Sequence, residues 1–189
     1  MNKPKMITKA EAEQIMSQLD RRDRQIFRLS LETGLRISDV LKLKARYVNK
    51  IMYVTEQKTG KERAVELSDE LLRELEPYKY ERYGFENQIV LLTGFDEWLF
   101  KSPRNKKKHL HRSTYHRRLK KASKALKIDV SAHSTRKLYA LEKFRETKSV
   151  GEVQKALKHK YINTTAKYLD IDLEAALTQA AAAALGGES

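Results

Sequence analysis

Cysteine is absent from the 189-residue chain. That excludes disulfides, thiolate nucleophiles and cysteine-based zinc sites, and accords with a reducing cytoplasm. Long apolar runs are absent too, and nothing approaches the length needed to span a bilayer. The polar start, MNKPKM, leads into an amphipathic segment, so no signal peptide and no membrane partner are expected. From Trp98 to Ile128 there is no acidic residue, while the stretch carries Lys101, Arg104, Lys106, Lys107, Lys108, Arg112, Arg117, Arg118, Lys120, Lys121, Lys124 and Lys127. After Lys167 the bias reverses: Asp170, Asp172, Glu174 and Glu188 meet no Lys or Arg. Internal repeats, long linkers and the aromatic RNP box of RNA-binding modules are also missing.

What is present suits one domain, or one domain with a tail. Hydrophobic residues make up 40%, enough for a core. Lys plus Arg number 39 against 25 Asp plus Glu, a net charge of +14. Such an excess calls for a polyanionic partner, and charge alone does not choose among DNA, RNA and an anionic membrane.

The pattern is mainly α with one small antiparallel β-sheet (α+β). Thr8 to Glu11 (TKAE) reads as a capping box opening a helix with Ile15, Met16 and Leu19 inward. A second helix, about 22–33, buries Ile26, Phe27 and Leu31 and stops at Gly34. A third carries Ile37, Val40, Leu41 and Lys44 at helical spacing. Residues 51–56 and 62–67 are β-like and joined by Gln57-Lys58-Thr59-Gly60-Lys61, a hairpin with glycine in the turn. Ser68 opens a helix expected to run to about Tyr83. Residues 85–112 have no clear period and end in the basic loop. Helices return at about 114–127, 134–145 and 150–158, the last opened by a second capping box, Ser149 to Glu152. Asn163 is expected to cap a short helix carrying Tyr168. The Ala-rich tail from Asp172 to Leu185 is helix-prone, and Gly186-Gly187 ends it. Tyr53 and Tyr139 sit inside periodic elements and read as core.

Four segments carry chemistry: TGLRISDVLKLK (33–44), QKTGKERAVELS (57–68), SAHSTRKLYA (131–140) and ALKHKYINTTAKYL (156–169). Breaking a phosphodiester requires its charge neutralised, a nucleophile and a protonated leaving oxygen. Arginine suits the first task, because its planar fork grips two phosphate oxygens and stays protonated. Two of the segments carry such an arginine, Arg36 and Arg136, though the ordinary fate of an arginine is a surface ion pair and chemistry alone does not single these two out. A tyrosine nucleophile has a free pKa of about 10 and needs a base or a cationic pocket. His133 and Arg136, three apart at a helix start, share a face.

In order, spacing and flanking pattern these segments resemble the tyrosine recombinase (phage-integrase) family. The likeness covers nearly the whole chain. It implies the integrase catalytic-domain fold over residues 1–170, with 171–189 a helical C-terminal tail and no N-terminal core-binding domain. The chain is then a single-domain member or an excised fragment. The first segment matches the family's T-G-[LM]-R-x-[SG]-[ED] box, with Arg36 the first catalytic arginine and Asp39 an orienting acid. The hairpin resembles the one whose lysine, here Lys58 with Lys61 as rival, protonates the departing 5′-oxygen. The H-x-x-R box gives His133, as general base or phosphate hydrogen-bonder, and Arg136. The last box gives His159, a phosphate donor where other members use tryptophan, and the nucleophile Tyr168 nine residues later. Two departures stand out: Lys137 where the family often has histidine, and Lys158 where glycine often precedes the last histidine.

The resemblance implies a site-specific recombinase of integration, excision or inversion type, working through a 3′-phosphotyrosyl intermediate with no metal or other cofactor. The partner implied is double-stranded DNA, in bacterial or phage-infected cytoplasm at the nucleoid. A tetramer on DNA, joined through the C-terminal helix, is expected from it, with a monomer when alone. Arg104, Lys106, Lys107, Lys108, Arg112, Arg117, Arg118 and Lys61 are the expected phosphate contacts, weighed against a merely solvated basic face. Competing readings are a DNA-binding fragment that needs a further domain to cleave, and a type IB topoisomerase-like enzyme. A metal-dependent nuclease built on His109, His111, His116, Asp170 and Asp172 belongs to a different class.

Overall fold

The computed structural model describes residues 6–57, 60, 62–83, 88–91 and 96–174, and of residues 78–83 and 88–91 the backbone alone. It places α1 at Lys9–Ser17, α2 at Arg21–Thr33 and α3 at Ile37–Leu41; β1 at Ile51–Thr55 and β2 at Glu62–Glu66; α4 at Asp69–Leu75; β3 at Tyr80–Tyr83 and β4 at Gln88–Leu91. Four helices follow: α5 at Arg112–Leu126, α6 at Ala132–Thr147, α7 at Val150–Leu157 and α8 at Ile162–Leu169. The mainly helical architecture with a small antiparallel sheet is the one expected; the second two-stranded sheet, β3 with β4, is an addition to it.

Helix α2 is the centre of the molecule. Asp20 caps it, accepting a hydrogen bond from the Asp23 backbone N–H, and Gly34 ends it in the left-handed conformation (φ 61°). Its Ile26, Phe27 and Leu29 are fully buried, packed with Ile15, Leu35, Val40, Leu71, Phe100 and Leu119 in one core. A second, smaller cluster of Ala140, Val153, Leu157 and Leu169 joins α6, α7 and α8, with Tyr139 and Tyr168 against it.

The capping box at Thr8 and Glu11 forms as read. Ser149 forms only half of one: its Oγ accepts from the Glu152 N–H, but its own N–H donates to Thr147 Oγ, and the Glu152 carboxylate pairs with Lys155 instead. Helix α8 starts earlier than expected, with Tyr161 rather than Asn163 at the cap position. The helix opened by Ser68 stops at Leu75, well short of Tyr83. Pro77 has no N–H to continue the ladder, the chain tightens into a 3-10 turn at Glu76–Lys79, and Tyr80–Tyr83 pairs with Gln88–Leu91 as a second two-stranded sheet.

In the first sheet Met52 faces Val65 and Val54 faces Arg63, and the buried side chains alternate along both strands. Tyr53 falls on the other phase and is 59% exposed, so it is not core. Tyr139 is partly buried on the second cluster.

Among the described residues, α5 to α8 each end on a non-glycine residue in the left-handed region: Lys127, Lys148, Lys158 and Asp170. That geometry costs an L-residue about 1–2 kcal/mol, against about 0.5–1 kcal/mol for glycine's greater loss of freedom. Lys158→Gly is therefore expected to stabilise the fold by about 0.5–1 kcal/mol, a rise of roughly 1–4 °C in Tm for a chain of this size. A thermal melt checks this, and an unchanged or lower Tm would contradict it.

Candidate active site

The α2–α3 turn that presents Arg36 is held from beneath by two buried arginines. Arg136, 4% exposed on α6, donates through Nη1 to the Gly34 carbonyl and through Nη2 to the Leu157 carbonyl at 2.7 Å. Arg63 of β2, 6% exposed, donates through Nη2 to the Thr33 carbonyl and to the Tyr139 hydroxyl at 3.3 Å. Thr33 and Gly34 close α2, and Leu157 closes α7, so both guanidinium groups sit where helix carbonyls are left without internal partners. Three charge-assisted hydrogen bonds to carbonyls thus offset the cost of burying two cations. Burial, then repulsion from Arg36, lowers Arg136 to about 10, which leaves it a cation at neutral pH.

Arg36, just before α3, meets the buried Glu56 carboxylate with Nη1 and Oε2 2.6 Å apart. Asp39 lies one turn on, buried, and its Oδ1 accepts the Gln57 N–H at 3.2 Å. Burial holds the Asp39 carboxyl above its usual range, and the Gln57 N–H partly opposes this. Gln57 also donates through Nε2 to the Ser38 carbonyl at 3.0 Å. The hairpin is therefore fastened to α3 immediately before Lys58. Lys58 and its rival Lys61 themselves lie outside the described residues.

His133 stands in the first turn of α6, exposed, three residues before Arg136. Desolvation first, then Arg112, Arg136, Arg36 and His116, pushes its imidazole below the usual histidine pKa. Tyr168, on α8, donates from its hydroxyl to the His133 backbone carbonyl at 3.2 Å. Burial raises this phenol to about 12, while Arg136 and Arg36 pull the other way. The His159 ring stands edge-on to Tyr168, centroids 5.7 Å apart, and its Nδ1 lies 3.0 Å from Thr165 Oγ. Arg36, His133, Arg136, His159 and Tyr168 are thus one constellation drawn from four elements. An imidazole whose charged form is disfavoured, a tyrosine and two arginines meet here.

The acid-free stretch flanks this site. A loop anchored by Trp98, whose Nε1 donates to the Lys107 carbonyl at 3.1 Å and whose face lies under Lys44 Nζ, presents Arg104, Lys106, Lys107 and Lys108 to solvent. Arg112 and Arg117 are exposed on α5. Arg118 is engaged elsewhere, its Nη1 3.2 Å from Asp20 and 3.1 Å from Asp23. A hollow of about 480 Å³ lies between loop and helix, lined by Ser102, Arg104, His111, Ser113, Thr114 and Arg117 among others. Among the described residues, no group of three or more His, Asp and Glu side chains gathers to hold a metal, and no helix is long and apolar enough to cross a membrane.

Sequence reasoning did not find Glu56, Arg63 or Thr165. For the first two a signal existed. They occupy inward positions of the strand alternation, in phase with Met52, Val54 and Val65, where a charge is out of place unless paired. Thr165 stands in the T-T-x-x-Y run that ends in Tyr168, but nothing in the sequence says that it faces His159.

The sequence matches the pattern described as the phage integrase family over residues 5–174. A probable integrase/recombinase, YoeC of Bacillus subtilis (strain 168), is 32% identical over 180 residues, covering 94% of this chain and 92% of that protein. The crystal structure of XerA recombinase superposes with a TM-score of 0.71 at 22% identity, over 95% of this chain and 64% of that one. A lambda integrase (75–356) dimer bound to a COC′ core site gives a TM-score of 0.67 at 22% identity, over 89% of this chain and 60% of that one. The likeness to these two is one of fold, and the chain spans less than two thirds of either.

Proposed function

The chain belongs to the phage integrase family, and from that premise we propose that it cleaves and rejoins DNA in site-specific recombination, with Tyr168 as nucleophile. The Tyr168 oxygen bonds to phosphorus, the bond from phosphorus to the 5′-oxygen breaks, and a 3′-phosphotyrosyl link is left. The phenolic proton passes to His133. A lysine of the hairpin, Lys58 by its place in the motif, supplies the proton of the departing 5′-hydroxyl. Arg36 holds the nonbridging oxygens, Arg136 adds the guanidinium hydrogens that its bonds to the Gly34 and Leu157 carbonyls leave over, and His159 donates to one of those oxygens. The link retains the energy of the broken bond, so the reverse attack by a 5′-hydroxyl rejoins the strand. The observation that carries this reading is the Tyr168 hydroxyl donating to the His133 backbone carbonyl, in the first turn of the helix that bears Arg136.

Double-stranded DNA as partner is supported by the exposed cations of the acid-free stretch and by the fold shared with a lambda integrase bound to a COC′ core site. Phosphate contacts fall to Arg104, Lys106, Lys107, Lys108, Arg112 and Arg117, while Arg118 serves the fold through Asp20 and Asp23. The same proposal includes a tetramer on DNA joined through residues 171–189, and a working place at the cytoplasmic nucleoid. Of that tail only Ile171–Glu174 falls within the described residues.

The test is a nicked duplex carrying a candidate site, incubated with the protein and resolved under denaturing conditions. A covalent adduct is expected. Its rate should rise about tenfold per pH unit while His133 is mostly protonated and then level off. Because the His133 pKa is depressed, the plateau should be reached by about pH 7. A rate still climbing from pH 7 to 9 would remove His133 as the base. Binding without an adduct would favour a domain that needs a further module to cleave. Relaxation of plasmids lacking any site would favour topoisomerase-like action.

A further inference from the structure

Thr165 is fully buried, and its Oγ lies 3.0 Å from His159 Nδ1. A hydroxyl and a ring nitrogen can share one proton in two ways, and the two have opposite consequences at the far side of the ring. If Nδ1 carried the proton and Thr165 accepted it, a neutral His159 would present a bare lone pair at Nε2 and repel a phosphate oxygen. If Thr165 donates, Nδ1 is the acceptor and Nε2 carries the hydrogen. We propose that Thr165 is a positioning residue that fixes His159 as the Nε2–H tautomer, so that the neutral ring can donate to the scissile phosphate. The inference rests on the reading of His159 as a phosphate donor and adds to it the group that sets the proton.

The backbone around His159 is braced for this task. Its N–H donates to the Gln154 carbonyl at 3.1 Å, and Gln154 Nε2 returns a bond to the His159 carbonyl at 3.2 Å. Those two bonds fix the main chain and leave the ring's rotation and protonation to be decided by its side-chain neighbours. Thr165 and Tyr168 are three apart on α8 and share a face. The Tyr168 ring stands edge-on to the imidazole at 85°. One helix therefore carries both the proposed nucleophile and the group that sets the proton on the phosphate donor. A displacement of α8 moves the two together, so a tyrosine out of place also leaves His159 without its tautomer control.

The experiment compares Thr165→Val, which keeps the shape and deletes the hydroxyl, with Thr165→Ser, which keeps the hydroxyl. Nitrogen-15 NMR of the free protein's imidazoles reads the tautomer without any cleavage. The wild type and Thr165→Ser are expected to show His159 protonated at Nε2 above its pKa, and Thr165→Val a mixture. On the nicked substrate, Thr165→Val should form adduct about tenfold more slowly at unchanged DNA affinity, the size expected for one lost hydrogen bond. Thr165→Ser should stay within about threefold of wild type. In a His159→Ala background the Thr165→Val change should be nearly silent, because its effect runs through the ring. An Nδ1–H tautomer in the wild type overturns the proposal. So does equal impairment of the Ser and Val variants, or an undiminished Thr165→Val effect without His159. If the wild type forms no adduct, the recombinase reading fails while the NMR result still decides the tautomer.

Discussion

Tyr168→Phe is expected to abolish the covalent adduct completely while leaving the fold and DNA affinity nearly unchanged. The substitution deletes one oxygen. Among the described residues that oxygen makes a single hydrogen bond, to the His133 carbonyl at 3.2 Å, and its ring stays packed against the cluster of Ala140, Val153, Leu157 and Leu169. A bond of that kind contributes about 0.5–1.5 kcal/mol, so Tm should fall by no more than about 6 °C. Chemistry has no such margin. Without the phenolic oxygen there is no atom to bond to phosphorus, and neither the arginines nor His133 can substitute for it. Wild type and variant are compared on the nicked duplex by denaturing gel, with a binding titration alongside. An adduct persisting in Tyr168→Phe would transfer the nucleophile to another tyrosine, and Tyr161, 61% exposed one cap position before the same helix, would be the first to examine.

The second large effect falls on stability. Gly34→Ala is expected to cost about 2–5 kcal/mol, from left-handed strain and from overpacking. Gly34 has φ 61°, and a Cβ built there would lie 2.2 Å from Cδ1 of Tyr139. The tyrosine cannot readily yield, because its hydroxyl is bonded to buried Arg63. The glycine cannot yield either, because Arg63 and Arg136 hold the two consecutive carbonyls at Thr33 and Gly34. Tm should fall by roughly 5–20 °C. Arg36 follows two residues later, so adduct formation measured well below the new Tm should drop further than the unfolded fraction explains. Replacing Tyr139 with Ala in the same chain removes the overlap and leaves only the strain, so the double variant should be less destabilised than the two single changes summed. A Gly34→Ala protein as stable as wild type would show that the ring does not press on the turn.

Much of this architecture was legible without coordinates, where the physics is local. Thr8 and Glu11 are close enough in sequence to cap one another, Gly34 ends α2 because left-handed backbone suits glycine, and the alternation at 51–55 and 62–66 is a property of extended chains. The Ser68 helix falls short of Tyr83 because Pro77 lacks the N–H that would continue its ladder. Tyr53 lies on the open face of its strand because a period of two says that faces alternate but not which face is covered.

The sequence by itself determined the chemistry on offer: two arginines, two histidines and a tyrosine in motifs whose order and spacing mark the family, beside a stretch of chain without acids. Only the tertiary structure decided that Arg36 pairs with Glu56, that Arg63 and Arg136 grip the carbonyls of one turn, and that Thr165 faces the His159 ring. The physical reason is range. Capping, turn and strand preferences are set by neighbours a few residues away and leave a pattern in the chain. A buried cation's partner is whichever carbonyl or carboxylate packing brings within about 3 Å, whatever its distance in sequence.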